Sequence, residues 1–370
     1  MKNRIYILGG ILCFILVLTN RLYCDSERRF APTAADEKTE AALLSAGWNI
    51  QTLTPASSEG EYTSICLSAK DFPCISYCGK TGVGYIRWTG ISWENQNVPC
   101  EGKVKFTSIA VDSSNNSHIS YYDSTNGDLK YALWNGSSWN IQTVDSAGDV
   151  GGYTSLLVDN NGIPHITYYD FTNGDLKYAR RTGSSWNIQT VDSKGDVGKF
   201  TSIAVDSSNN LHISYYDSTN GDLKYALWSG SSWNIQTVDS AGAVGEDTSI
   251  AIDSSNKPHI SYYDFTNKDL KYARWSGSSW DIQTVDSEGG VGEYTSIALD
   301  ANNCPHISYC GIYHLKYARR DGSLWRIEVI DTDGIVGFDT SLALDKLGRP
   351  HISYYNYSTK ALKSAAKKDR

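Results

Sequence analysis

Residues 201–247 read TSIAVDSSNNLHISYYDSTNGDLKYALWSGSSWNIQTVDSAGAVGED, and this unit decides the fold. It contains four short runs rich in Val, Ile, Tyr, Trp and Thr, separated by turns of Ser, Asn and Gly, and it shows no helical period. Asn220-Gly221 favours a tight hairpin, because both residues accept the positive φ angles that such a turn requires. The unit therefore predicts four short antiparallel strands.

The same unit recurs along the chain. The dipeptide Thr-Ser marks its start and is spaced by 44 to 47 residues, at Thr63, Thr107, Thr154, Thr201, Thr248, Thr295 and Thr340. Repeats of 40 to 50 residues with four strands each are typical of propeller blades, which pack around a central channel. We therefore predict an all-β, seven-bladed β-propeller over residues 46–370.

The two ends of the repeat array complement each other. The last unit has the strands TSLALD, HISYYN and ALKSAA but no fourth strand. Before the first unit, Gly47–Thr52 reads GWNIQT and copies the fourth strand found elsewhere, for example Ser232–Thr237. We predict that this N-terminal strand completes the last blade, because closure satisfies two sheet edges that otherwise stay unpaired.

The N-terminus precedes the repeats and has a different composition. Ile5–Thr19 is an apolar run behind Lys2 and Arg4, the order found in a secretory signal peptide. We expect residues 1–24 to be a signal peptide, with a short uncleaved anchor as the alternative, and residues 25–45 to be a linker. The expected location is secreted or cell surface.

Charge and cysteine content narrow the partners. The chain has 33 basic and 41 acidic residues, a net charge of −8, which argues against nucleic acid or an anionic membrane. We expect a monomer whose partner is a glycan or an extracellular protein. The eight cysteines match no zinc motif, and in an exported chain disulfides are the default. Cys66 with Cys74 is one candidate pair, and Cys304 with Cys310 is another.

Residues repeated in nearly every blade are interpreted as structural. A catalytic site needs an asymmetric set of side chains, whereas these groups follow the repeat. We expect the histidines to be buried hydrogen-bonding groups, with metal binding or catalysis as the alternative. The aspartates should cap turns, with calcium binding as the alternative, and the tryptophans should pack between blades. The three sets are His118, His165, His212, His259, His306 and His351; Asp112, Asp159, Asp206, Asp253, Asp300 and Asp345; and Trp48, Trp93, Trp139, Trp186, Trp233, Trp280 and Trp325. No cofactor is expected apart from that calcium alternative.

Positions that vary between blades are the better candidates for a site. The residue directly before each Thr-Ser is aromatic in five blades and acidic in two: Tyr62, Phe106, Tyr153, Phe200, Asp247, Tyr294 and Asp339. We predict that they surround one mouth of the channel and that Phe171 and Phe265, in loops between second and third strands, reach the same face. Aromatic rings beside carboxylates suit a sugar, whose apolar face stacks while its hydroxyls are hydrogen-bonded. The alternative is that these rings only plug the channel.

The repeat resembles those of bacterial and archaeal surface proteins that carry the string PHISYYDxTNGDLKYA, seen here from His118 to Ala132 with Ser117 in place of Pro. The resemblance covers residues 46–370 and implies fold and location. The layout is also similar to seven-bladed bacterial lectins. Sialidases share the fold class, but their motif S-x-D-x-G-x-x-W is absent from this sequence and no inner strand contains arginine.

The sequence is compatible with three functions. The leading hypothesis is an exported, non-catalytic module that binds a glycan or a surface protein through one loop face, without catalytic or metal-binding residues. The second is a glycoside hydrolase or sialidase-like enzyme at the channel mouth, with Asp247 and Asp339 as acid and base. The third is a structural scaffold in an extracellular coat.

Overall fold

The computed structural model describes residues 47–56, 60–100 and 102–368. In these residues 28 strands form seven four-stranded antiparallel sheets, which confirms the predicted seven-bladed β-propeller. The predicted signal segment 1–24 and linker 25–45 lie outside the described residues. Within the described part of the chain, none of the regular elements is a helix long and apolar enough to cross a membrane.

Each blade runs outward from the channel in chain order. Blade 1 contains β2 (Glu61–Leu67), β3 (Pro73–Gly79), β4 (Gly82–Trp88) and β5 (Trp93–Asn97). Blade 2 contains β6 (Val104–Val111), β7 (Ser117–Asp123), β8 (Asp128–Trp134) and β9 (Trp139–Asp145). Blade 3 contains β10 (Val150–Val158), β11 (Pro164–Asp170), β12 (Asp175–Thr182) and β13 (Ser185–Asp192). Blade 4 contains β14 (Val197–Val205), β15 (Leu211–Asp217), β16 (Asp222–Trp228) and β17 (Trp233–Asp239).

The remaining blades follow the same plan. Blade 5 contains β18 (Val244–Ile252), β19 (Pro258–Asp264), β20 (Asp269–Trp275) and β21 (Trp280–Asp286). Blade 6 contains β22 (Glu293–Leu299), β23 (Pro305–Gly311), β24 (His314–Asp321) and β25 (Leu324–Asp331). Blade 7 contains β26 (Val336–Leu344), β27 (Pro350–Asn356), β28 (Ala361–Lys367) and, from the other end of the repeats, β1 (Trp48–Thr52).

The N-terminal strand closes the ring as predicted. β1 pairs antiparallel with β28 from Trp48 opposite Lys367 to Thr52 opposite Lys363. Beyond the strand, Leu53 N–H donates to the Leu362 carbonyl at 2.8 Å. Trp48 is only 2% exposed, and its indole N–H donates to Glu328 in blade 6 at 2.9 Å. Pairing between distant parts of the chain therefore covers the outer edge of β28 and gives blade 7 the same four strands as the other blades.

The recurring Thr-Ser dipeptide links neighbouring inner strands. Each threonine hydroxyl is hydrogen-bonded to a buried Ser or Thr hydroxyl in the second strand of the preceding blade, for example Thr248 to Ser214 at 2.9 Å. Each serine hydroxyl accepts a backbone N–H from the next blade, as Ser202 does from Ile250 at 3.2 Å. Inner strands of different blades share no backbone ladder, so these side chains satisfy polar groups that would otherwise be buried alone.

The tryptophans pack between blades, which confirms that prediction. At six of the seven interfaces a third-strand tyrosine meets the fourth-strand tryptophan of the next blade edge to face, as Tyr225 meets Trp280 at 5.2 Å between ring centroids. The other five pairs are Tyr85–Trp139, Tyr131–Trp186, Tyr178–Trp233, Tyr272–Trp325 and Tyr317–Trp48. Edge-to-face geometry is favoured for aromatic pairs and holds the outer parts of the blades together.

The repeated histidines and aspartates have the structural roles expected of them. In blade 4 the buried His212 has Nδ1 2.6 Å from the Tyr225 hydroxyl and Nε2 3.4 Å from Asp206 Oδ2. Asp206 Oδ1 accepts the backbone N–H groups of Ser208 and Asn210, so the carboxylate caps the turn. Burial lowers the pKa of His212, which keeps the imidazole neutral. These contacts favour a structural function for both residues.

The six cysteines among the described residues are thiols in the structure. Cys66 and Cys74 lie directly opposite each other on β2 and β3, yet neither they nor Cys304 and Cys310 form a disulfide. The two candidate pairings are therefore wrong for this structure. Burial raises the pKa of the Cys66 thiol well above its usual range, so the group is held in its neutral, unreactive form.

Candidate functional site

The structure brings all seven varying residues together at one end of the channel. We call Tyr62, Phe106, Tyr153, Phe200, Asp247, Tyr294 and Asp339 the mouth ring. With the following threonines they line a shallow pocket of about 180 Å³. Each blade contributes one member, because each lies at the same point of an inner strand.

An irregularity in the backbone directs these side chains. All seven have positive φ angles between 48° and 56°, although none is glycine. The pairing of the first and second strands shifts register at the same place in every blade, for example between Gly152 and Ser155 around Tyr153. Positive φ is uncommon for aromatic residues and persists only where the surroundings enforce it. The bulge removes these residues from regular strand pairing and places them at the channel mouth.

Aromatic rings fill one half of the mouth ring. Neighbouring rings are in contact around blades 1 to 4: Tyr62 with Phe106 at 4.7 Å, Phe106 with Tyr153 at 4.5 Å and Tyr153 with Phe200 at 4.6 Å between centroids. Tyr62 is 9% exposed. These four rings therefore close much of the channel, which supports the plug alternative for this half.

Carboxylates occupy the other half, across blades 5 to 7. Asp247 Oδ2 accepts the backbone N–H of Tyr294 at 2.8 Å, and Asp339 Oδ2 accepts that of Tyr62 at 2.8 Å. Each carboxylate thus bridges to the next blade where an aromatic ring would otherwise pack. Burial, together with the negative charges of Glu246 and Glu293, raises the pKa of Asp247 to about 8. At neutral pH this carboxyl mostly retains its proton.

Two exposed aromatic rings lie in loops on the same face as the mouth ring. Phe171 is 39% exposed and lies 6.4 Å from Tyr153 between ring centroids, so its loop reaches the predicted face. Phe265 is 48% exposed and lies 6.3 Å from Tyr263. Of the predicted residues, these two are the ones most open to solvent.

The sequence reading missed one equivalent residue. Tyr357 follows the second strand of blade 7 in the same way that Phe171 and Phe265 follow those of blades 3 and 5. It is 50% exposed and stacks on Phe338 at 5.6 Å. Aligning HISYYNY with HISYYDF would have revealed it. Exposed rings therefore occupy the same loop position in three alternate blades, 3, 5 and 7.

The loops that carry these rings are held by hydrogen bonds. Phe171 N–H donates to the Asp149 carbonyl at 2.8 Å, and Asp149 N–H donates to Thr172 Oγ1 at 2.7 Å. Asp149 Oδ1 also accepts the Tyr122 hydroxyl of the preceding blade at 2.5 Å. A carboxylate consequently lies beside the exposed ring on a fixed loop, which is the combination that recognition of a polyol requires.

No cluster of three or more His, Cys, Asp or Glu side chains with metal-binding geometry occurs among residues 47–56, 60–100 and 102–368. The repeated aspartates, for which calcium was the alternative, already accept hydrogen bonds from the amides of their own turns, as Asp112 does from Ser114 and Asn116.

Comparison with known proteins supports the fold alone. No protein-family model matches the chain, and no curated protein sequence matches it. The chain is similar in structure to the β-propeller domain of Cps50 from Myceliophteria thermophila, with 12% identity, a TM-score of 0.57 and coverage of 85% of this chain and 99% of that one.

Two further structures have names that mention carbohydrates. The chain is similar to a lectin from Aleuria aurantia in complex with Fucα1-6GlcNAc, with 16% identity, a TM-score of 0.52 and coverage of 74% of this chain and 96% of that one. It is also similar to an ulvan lyase, described as a polysaccharide lyase, with 12% identity, a TM-score of 0.55 and coverage of 85% and 95%. At such low sequence identities, the structural similarity shows a shared fold and nothing more.

Proposed function

We propose that this protein is an exported, non-catalytic propeller that binds a glycan through the face around the mouth ring. The observation that carries the proposal is the exposure of Phe171, Phe265 and Tyr357 by 39%, 48% and 50% on blades 3, 5 and 7. Rings at this exposure on fixed loops can stack against the apolar face of a sugar.

Polar groups near these rings complete the argument. Asp149 lies beside Phe171, and Glu246, Asp247 and Glu293 lie near the mouth between blades 5 and 6. Ionised carboxylates accept hydrogen bonds from sugar hydroxyls, and the protonated Asp247 can donate one. The acidic surface also favours a neutral or cationic glycan over an anionic one. Export rests on the apolar segment Ile5–Thr19 and remains part of the proposal.

The structural neighbours are compatible with this function. The propeller fold is used by a lectin bound to Fucα1-6GlcNAc and by a polysaccharide lyase, so the fold can present a carbohydrate site. Fold similarity does not identify the sugar or the site. The exposed rings of this chain therefore carry the proposal.

The test is a glycan array with the full chain, repeated with Phe171→Ser and Phe265→Ser together. Serine is the residue that blades 2 and 4 carry at the same position, Ser124 and Ser218, so the change follows the repeat. We expect the double variant to lose at least about tenfold in affinity for any glycan bound by the wild type. Leu347→Ser, which alters a residue that is 77% exposed in a turn between first and second strands, is the matched control and should bind normally. Equal binding by wild type and double variant would rule out this face.

A second candidate is a glycan-cleaving enzyme at the mouth ring. The feature in its favour is the Asp247 carboxyl in the mouth ring, where burial and the nearby Glu246 and Glu293 raise its pKa to about 8, which suits a general acid. Incubation of any bound glycan with the protein distinguishes the candidates. Turnover that disappears in Asp247→Asn would establish the enzyme, whereas binding without turnover supports the lectin-like function.

A further inference from the structure

Six of the seven blade interfaces contain the same aromatic arrangement. The third-strand tyrosine places its ring edge to face against the tryptophan of the next blade, with centroids 5.1–5.4 Å apart. In five of these blades the tyrosine hydroxyl is also 2.5–2.6 Å from Nδ1 of the histidine in its own blade. The fold therefore provides a slot shaped for a hydroxyphenyl group at each interface.

The interface between blades 7 and 1 keeps the slot but lacks the tyrosine. The strand β28 reads ALKSAAK where blade 2 reads DLKYALW, so Ser364 replaces the tyrosine and Ala366 replaces a larger residue. A cavity of about 500 Å³ lies here, which we call the closure cavity. Its lining includes Ile65, Trp88, Trp93, His351, Ser364 and Ala366. A dry apolar cavity of about 150 Å³ is enough to bind benzene, so one phenol ring and part of its parent molecule fit this volume.

The groups that contact the tyrosine elsewhere remain in place. Trp93 is fixed by a hydrogen bond from its indole N–H to Gln51 at 2.7 Å and by an edge-to-face contact with Trp88 at 5.5 Å. His351 has Nε2 directed toward Asp345 Oδ2 at 3.8 Å, as the other histidines are directed toward their aspartates. Its Nδ1 consequently faces the position that a tyrosine hydroxyl takes in five other blades.

The histidine at this interface differs from its equivalents in exposure. The His351 side chain is 19% exposed, whereas those of His212, His259 and His306 are 2–3% exposed. Among residues 47–56, 60–100 and 102–368, no side chain replaces the tyrosine hydroxyl beside His351 Nδ1. Asp71 and Arg349 also line the closure cavity and are themselves partly exposed, so a ligand can enter from solvent.

We infer that the closure cavity binds a para-hydroxyphenyl group, with its ring against Trp93 and its hydroxyl hydrogen-bonded to His351 Nδ1. In blade 7 the phenol ring of the ligand occupies the place that the third-strand tyrosine occupies in the other blades. This site is separate from the mouth ring and does not depend on the proposed glycan-binding function. The group can belong to a small phenol or to a tyrosine side chain of a peptide, and the chemistry recognised is the same.

The test is a calorimetric titration of the full chain with p-cresol and with toluene, which has the same shape but no hydroxyl. We expect one saturable site, with p-cresol bound about fivefold more tightly because of the histidine hydrogen bond. Titrations with N-acetyltyrosinamide and N-acetylphenylalaninamide distinguish the sources. Tighter binding of the tyrosine compound than of p-cresol would indicate a peptide partner, and the reverse order a small phenol.

Variants locate the site. Ser364→Tyr restores the repeat, and Ala366→Leu independently narrows the cavity; either should abolish binding of p-cresol. His351→Leu should bind p-cresol and toluene equally. Tyr225→Ser together with Leu227→Ala creates a copy of the slot between blades 4 and 5, with His212 and Trp280 as its walls, and should raise the stoichiometry from one to two. Absence of saturable p-cresol binding to the wild type, or unchanged binding in a folded Ser364→Tyr or Ala366→Leu variant, would overturn the inference.

Discussion

Replacing Asp247 with Asn should flatten the dependence of stability on pH. Burial and the charges of Glu246, Glu293 and Asp339 raise the pKa of Asp247 to about 8 in the folded protein, far above its value in an unfolded chain. Between about pH 4 and pH 8, the Asp247 carboxyl therefore keeps its proton in the folded state and loses it in the unfolded state. This contribution to stability is complete below about pH 4 and is lost as the pH rises toward 8.

The size of the effect follows from one proton. Between the two pKa values the free energy of unfolding changes by about 1.4 kcal/mol per pH unit, or about 3 kcal/mol from pH 5 to pH 7. Asp247 is partly open to the channel mouth, and water weakens the effect of burial, so about half of this value is the working expectation. For a domain of this length, 1.5 kcal/mol corresponds to a melting temperature change of about 2 °C.

The assay is urea unfolding at pH 5, 6 and 7, supported by melting curves. Asn keeps an acceptor for the Tyr294 N–H but cannot titrate. From pH 5 to pH 7, the free energy of unfolding of Asp247→Asn should therefore fall by about 1.5 kcal/mol less than that of the wild type. Asp333→Asn changes a side chain that is 91% exposed and serves as the control. Identical pH profiles for the wild type and Asp247→Asn would refute the argument that Asp247 is protonated in the folded state.

Three further predictions concern the fold. Deleting residues 47–54 removes the strand that pairs with Ala361–Lys367 and should cause aggregation; a monomeric deletion variant on size-exclusion chromatography that melts at the wild-type temperature would disprove closure by β1. Thr248→Val leaves the buried Ser214 hydroxyl without its 2.9 Å partner and should cost about 1–3 kcal/mol in urea unfolding, whereas exposed Thr182→Val should have no effect. A chelator should leave the melting temperature unchanged, because the Asp112 carboxylate is bonded to the amides of its own turn; a fall restored by calcium would revive the metal alternative.

Much of the architecture could be predicted because the strand and turn patterns of each blade lie within one repeat of the sequence. Seven copies of Thr-Ser with four strand patterns between them specify seven blades, and the isolated GWNIQT segment specifies the closing strand. The repetition of His212 and Asp206 in other blades correctly indicated structural functions, since symmetric copies satisfy symmetric needs. The paired positions of Cys66 and Cys74 were also predictable, although the disulfide was not formed.

The candidate sites were predicted less completely. The repeat predicts that the members of the mouth ring lie on one face. Their positive φ angles and the contacts among Tyr62, Phe106 and Tyr153, however, depend on how the seven inner strands converge. Tyr357 can be recognised only by aligning HISYYNY with the repeats that carry Phe171 and Phe265, because a single loop residue has no pattern outside the repeat. Ser364 stands where the other blades have a third-strand tyrosine, and only the facing Trp93 shows that this change leaves a cavity.

By itself, the sequence determined the number of blades, their strands and the way the ring closes, because period, turn residues and apolar alternation act over short distances along the chain. Tertiary structure alone decided which rings are buried in the channel, which remain exposed on its rim, and where a cavity lies between the first and last blades. Those properties depend on distances between residues that are far apart in the chain, such as Ser364 and Trp93, and no local pattern encodes such a distance.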